Sequence, residues 1–182
     1  VVLSVTSLIG GMLGAILLVR TSQSTFVHLI PYLLLIATAL FTFGPPITTR
    51  LRKLMHTEPK PHLSWFTLAV IALFQLIIAI YGGYFGGGIG ILMLATLGFM
   101  GMENIHVMNG LKTVLQTCIN GVAVITFIIA GVVEWSQAIV MIVGAIVGGF
   151  VCAYYARKLD PRIVRGFVIL VGITMTIYFF VR

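Results

Sequence analysis

The stretch that decides how this chain folds is Gly82-Gly83-Tyr84-Phe85-Gly86-Gly87-Gly88-Ile89-Gly90, with six glycines in nine positions. It interrupts an apolar run from Ser64 to Met100. Glycine lacks a Cβ, so it permits a sharp turn and a close approach of other groups to the backbone. Backbone that leaves helical form at membrane depth strands N–H and C=O groups, each costing several kcal/mol, and survives only in protein or beside a cavity. Small residues also serve tight helix packing. Which reading applies depends on whether the chain sits in a membrane and whether it must reverse here.

Composition answers the first question. The chain has 182 residues, 60% hydrophobic and 8% charged, against about 25% charged in an average soluble domain. It cannot cover a globular surface with the polar side chains it has. A water-soluble enzyme, a disordered chain and a secreted disulfide scaffold are excluded. The apolar runs are long and do not alternate in polarity, so the spans are helices rather than barrel strands. Cys118 and Cys152 lie in apolar runs and read as small packing residues. No Cys/His spacing suggests a metal, and no cofactor is implied. The +7 charge does not point to nucleic acid, because no soluble basic face with interleaved aromatics exists.

Charge placement answers the second. Eight of the eleven Lys/Arg fall in two stretches: Arg50, Arg52, Lys53 and Lys60, then Arg157, Lys158, Arg162 and Arg165. The positive-inside rule places both in the cytoplasm. The apolar segments are Val1 to Val19, Phe26 to Gly44, Ser64 to Met100, Val107 to Gly131, Ser136 to Ala156 and Gly166 to Val181. Pro45-Pro46 is expected to end the second. Working back from the last segment, the one at Val107 starts inside. The stretch Ser64 to Met100 also starts inside, so it must leave on the side it entered. Its 37 residues are too few for two spans and a turn, which need more than about 40. A hairpin that turns partway, at Gly82 to Gly90, solves the parity.

Gly10 to Arg20 and Gly144 to Arg157 resemble each other, each with a small-xxx-small pair, Gly10/Gly14 and Gly144/Gly148. Their opposite directions mark an inverted repeat. The fold class expected is therefore an all-α integral membrane protein, a polytopic helical bundle with inverted repeats and a Gly-rich re-entrant hairpin. Residues 1–46 are the last two helices of a first repeat, 47–63 a cytoplasmic basic link, and 64–182 the second repeat. The apolar run begins at Val1 without a signal-peptide pattern, so the expectation is a fragment of a longer, multi-pass protein of the plasma membrane.

The half-helix starting near Gly88 would offer free amides and the positive end of its dipole, which suits an anion. Gly86, Gly87, Gly88 and Gly90 are its candidate contacts. On the helix from Val107, taking about 100° per residue, Asn109, Lys112, Thr113, Gln116 and Asn120 share an arc of about 100°. A polar stripe that narrow faces protein or water, not lipid. Lys112 could instead snorkel to the headgroups. Glu103 and His106 are candidates for proton coupling; more often such groups are solvated at the interface.

The sequence YGGYFGGGIGILMLATLGFMGMENIHVMNGLKTVLQTCINGVAVITFIIAGVVEW, followed by GAIVGGFVCAYYARKLDPRIVR, resembles the sulfite exporter TauE/SafE family of bacterial membrane transporters. The Gly-rich hairpin, the Asn109-Gly110-Leu111-Lys112 segment and the Gly131 to Trp135 turn stand in the family's order. The resemblance covers Ser64 to Val181, and Val1 to Lys53 looks like the later part of the family's first repeat. It implies export of small sulfur-containing or organic anions along a pathway between two Gly-rich segments, of which this chain carries one. The partners expected are a small anionic substrate and the lipid bilayer; a homo-oligomer is compatible with this reading. The rival is a structural or assembly subunit of the membrane. An enzyme would need a nucleophile, base or metal set within the spans, and none is visible.

Overall fold

The computed structural model describes residues 2–54, 65–100, 102, 104–156, 158 and 161–181. Among them it forms seven helices and no strand: α1 (Val2–Arg20), α2 (Gln23–Leu54), α3 (Trp65–Tyr84), α4 (Ile89–Phe99), α5 (Ile105–Ile129), α6 (Trp135–Ala156) and α7 (Pro161–Val181). Four segments are long and apolar enough to cross a membrane: Val2–Arg20, Gln23–Gly44, His106–Ile129 and Trp135–Cys152. The chain is a polytopic helical membrane protein, as its composition requires. At 1.5 Å per residue, α4 is about 16 Å long, roughly half the ~30 Å hydrocarbon core.

Helix α2 departs from expectation. It continues through Pro45-Pro46 to Leu54, so the first part of the basic link 47–63 is helical. Two amides are missing from its ladder, yet two features ease the passage. Gly44 precedes Pro45, and glycine lacks the Cβ through which proline restricts the residue before it. The groups that proline frees are also tolerated in membrane helices where neighbours satisfy them. The expectation that Pro45-Pro46 ends the helix is therefore not met. The rest of the link, and Arg157 in the second basic loop, lie outside the described residues.

Small residues lock α1 to α3 and α5. A Cβ on Gly10, Gly14 or Gly83 would strike the backbone or Cβ atoms of the facing helix, and one on Gly11 would lie 3.0 Å from Ile119 Cα. Close approach of this kind takes the place of a hydrophobic driving force within lipid. Buried Ser7 and Gln75 add an interhelical hydrogen bond, Gln75 Nε2 donating to Ser7 Oγ at 2.8 Å. The core beside it is Ile78, Ala79, Ile89, Met93, Leu115 and Ile119. By contrast Gly144 and Gly148 of α6 have open space around them, and the α6 span has 0% of its residues buried. Cys152, on the same helix, is exposed, so only half-buried Cys118 fits a packing role.

The contacts also fix relative directions. Ser7 lies by Gln75, Gly10 by Ala79 and Gly14 by Gly83, so α1 and α3 run parallel. Leu3 and Leu111 line one groove, Gly11 meets Ile119, and Ile16 and Thr126 line another, so α5 is parallel to both. Ala37 meets Gly87 and Gly44 meets Ile91, so α2 and α4 run together. Tyr32 packs edge-on against Phe180 at 5.4 Å, and Gly172 abuts Thr38, so α2 and α7 are antiparallel. These are the relative directions that the charge distribution demands of those helices.

Candidate functional site

The chain breaks between α3 and α4 at Phe85 to Gly88, a narrower interval than Gly82 to Gly90. Gly82 and Gly83 belong to α3 and serve packing: Gly82 faces Ile89 and Ile119, and Gly83 faces Gly11, the central residue of α1. The break itself rests on Gly86 and Gly88, whose φ values of 79° and 76° are left-handed and are the reason glycine stands there. Its α3 side lies past the middle of α1, since Gly14 meets Gly83 and Tyr84 and the Tyr84 hydroxyl reaches Thr21, while Ile89 folds back beside Gly82. From there α4 returns: Gly98 approaches Met108 Cε at 3.9 Å from a Cβ position, and Met100 lines a groove of about 300 Å³ with Leu3, Leu68 and Leu111. Met100 thus ends beside the early residues of α1, α3 and α5.

The starts of α4 and α5, at opposite ends of α4, differ chemically. The start of α5 is capped by Asn104, whose Oδ1 accepts from the amides of His106 (2.9 Å) and Val107 (3.3 Å). That removes the amides from further use. The start of α4 has Gly88 at its cap and no side-chain hydrogen bond. Its first-turn amides have no intrahelical acceptors, apart from Ile91, which donates to the Gly88 carbonyl at 3.0 Å. The bare, dipole-positive end is therefore that of α4.

Lys112 and Gln116 of α5 converge on that end. A Cβ at Gly90 would stand 3.4 Å from Gln116 Nε2 and 3.4 Å from Lys112 Cδ. Both side chains are half-buried. Lys112 Nζ donates to Asn109 Oδ1 at 3.3 Å. On the far side, Ala37 and Leu40 of α2 close against Gly87 and Gly88. The arrangement brings the Lys112 side chain, whose ammonium rests on Asn109, and the Gln116 carboxamide beside the unpaired backbone amides of α4, each group able to donate. Their common complement is an oxyanion.

The stripe on α5 is split by the packing. Its Lys112 and Gln116 edge meets α4, while Asn109, Thr113 and Asn120 are exposed. Thr113 donates to its own helix, to the Asn109 carbonyl at 2.8 Å. His106 is exposed at the start of α5, and Glu103 lies outside the described residues. Sequence reasoning overlooked Tyr81, which donates to the Gly87 carbonyl at 2.7 Å and braces the break. The signal was present: a tyrosine inside an apolar helix needs a partner for its hydroxyl. It also overlooked Asn104, although Asn before a helical run is a favoured cap.

Comparison with known proteins bears on the same residues. The model of the family described as Sulfite exporter TauE/SafE matches residues 1–179. A curated relative from Haemophilus influenzae, called a probable membrane transporter protein, is 25% identical over 169 residues. The match takes in 92% of this chain and 62% of the relative, so the chain spans less than two thirds of that protein's length. No solved structure matches significantly.

Proposed function

We propose, from the premise that the chain belongs to the sulfite exporter TauE/SafE family, that it carries the anion-handling half of a plasma-membrane transporter for small sulfur-containing or organic anions. Membrane transport follows from the family. The anion and its site are inferred from donor chemistry. One observation carries the inference: the uncapped start of α4 touches Lys112 and Gln116 at Gly90.

On this reading α3 and α4 form a re-entrant hairpin. The short length of α4 and the return of Met100 to the early residues of α3 and α5 support it. Without substrate, Lys112 Nζ rests on Asn109 Oδ1. An arriving oxyanion draws the ammonium toward the α4 amides, and Gln116 Nε2 completes the donor set. Gly86, Gly87, Gly88 and Gly90 keep the approach free of side chains, while Thr113 and Asn120 line the way in. The antiparallel contact of α2 with α7 supports inverted repeats at 1–46 and 64–182, joined by the basic link. Rocking of one repeat against the other would alternate access and release the anion outward.

The test is transport by the full-length protein reconstituted in liposomes, with sulfite, sulfonates and carboxylates offered in turn. Lys112→Ala and Asn109→Ala should each weaken anion transport while membrane insertion is unchanged. Unchanged transport in both variants removes this site.

A further inference from the structure

Tyr81 touches the break from both ends. Its carbonyl accepts from the amides of Phe85 (2.9 Å) and Gly86 (3.2 Å), and its hydroxyl donates to the Gly87 carbonyl at 2.7 Å. Its ring also packs on Phe85, with centroids 6.2 Å apart. The peptide so gripped lies between two glycines, Gly87 and Gly88. A peptide flanked by glycines has no Cβ to oppose rotation of its plane. In a trans peptide the N–H and C=O point in opposite directions. Rotation of this one plane would therefore exchange a Gly88 N–H for a Gly87 C=O on a given side of the break.

We propose that Tyr81 is a positioning residue that fixes the sign of the site, by holding the Gly87 carbonyl on the α3 side so that the opposite side of the break presents amides. The inference rests on the anion reading given above and deepens it. A carbonyl turned among the donors would repel an oxyanion and attract a cation. With the hydroxyl bond in place, that carbonyl is occupied and the Gly88 N–H points away from Tyr81. The Tyr81–Gly87 bond is part-buried, and partial exclusion of water strengthens a hydrogen bond. The start of α4 has no side-chain cap, so Gly88 itself offers no competing hold on this peptide.

Tyr81→Phe removes the hydroxyl and keeps the ring. The experiment is backbone amide exchange of the full-length protein in lipid nanodiscs, with and without sulfite, using chloride as the control anion. In the variant, exchange of the hydrogen-bonded amides of Gly86 and Ile91 should rise tenfold or more, while α1 and α5 exchange as before. Sulfite should protect the amides of residues 86–91 in the unmutated protein, and half-protection in the variant should need at least tenfold more sulfite. Unchanged exchange at Gly86 and Ile91 overturns the clamp. Faster exchange throughout α1 and α5 as well means a general loosening and also overturns it. Faster local exchange with an unshifted sulfite midpoint overturns the claim about sign. Absence of protection by sulfite in the unmutated protein counts against the anion site itself, and with it against the sign claim, whereas the exchange comparison still judges the clamp.

Discussion

Gly90→Ala separates packing from function at the proposed site. Gly90 is helical and has no left-handed φ, so alanine fits its backbone. The added Cβ would lie 3.4 Å from Gln116 Nε2 and Lys112 Cδ, which is ordinary van der Waals contact. Alanine is the better helix former by up to about 1 kcal/mol. Folding should therefore be unharmed or slightly improved. The methyl group, however, stands in the gap between the α4 amides and the α5 donors. If it denies an anion one charge-assisted hydrogen bond, about 1.5–3 kcal/mol of binding is lost, or about 10- to 150-fold in affinity. The assay is the concentration dependence of transport in liposomes, beside thermal unfolding of the purified full-length protein. The expected outcome is an unfolding temperature equal to or above that of the unmutated protein, with an apparent KM raised at least tenfold for the anion it carries. Unchanged KM with unchanged stability would refute the placement of the anion at Gly90.

The packing contacts make contrasting predictions. Gly83→Ala brings a Cβ onto the Gly11 carbonyl, backbone against side chain with no flexible group to yield, so thermal unfolding should show a loss of about 1–3 kcal/mol. Ser7→Ala leaves the Gln75 carboxamide buried without its partner and should cost about 1–3 kcal/mol. The double variant Ser7→Ala/Gln75→Leu should recover part of that, and a double-mutant cycle measures the coupling, expected near ~0.6 and below about 1.7 kcal/mol. In a background with Cys118 and Cys152 replaced by serine, cysteines at Thr113 and Asn120 should react with a membrane-impermeant thiol reagent. Cysteines at Val114 and Ile125, likewise exposed but off the stripe, should not.

Much of this fold was legible because the bilayer removes alternatives. Parity of the basic loops and a length too short for two spans located the reversal near Gly86. The observed directions of α1, α3, α4 and α5 agree with that count. The limits of the break were less legible, because glycine serves two physical ends. Gly86 and Gly88 supply left-handed backbone, whereas Gly82 and Gly83 supply close approach, and composition does not distinguish the two. Pro45-Pro46 misled for a related reason: loss of two amides is decisive in an isolated helix, but Gly44 relieves the steric restriction before it and α2 runs on to Leu54. At the site, the 100° period gathered Lys112 and Gln116 with Asn109, Thr113 and Asn120. Angle alone could not say which edge of that arc would touch α4. The Tyr81 hydroxyl bond depends on a turn six residues away, and no periodicity reports it.

The split of the α5 stripe has its own consequence for the proposed mechanism. Lys112 and Gln116 sit at the border of the buried face made by Met108, Leu115, Ile119 and Ala123. Asn109, Thr113 and Asn120 continue round the helix away from that face and are exposed. Polar groups at bilayer depth are stable only against protein or water. The donors at Gly90 therefore form the inner margin of a polar strip, with further amides and a hydroxyl extending outward from it. A site at such a margin is supported on one side by a rigid, glycine-locked trio of helices. On its other side stand Ala37 and Leu40 of α2. The proposed alternating access would require α2 to move relative to those donors. If the Thr113 and Asn120 cysteines prove shielded from aqueous reagent while Lys112→Ala still abolishes transport, the strip is a static helix contact. The anion would then have to reach Gly90 from the α2 side, past Ala37 and Leu40.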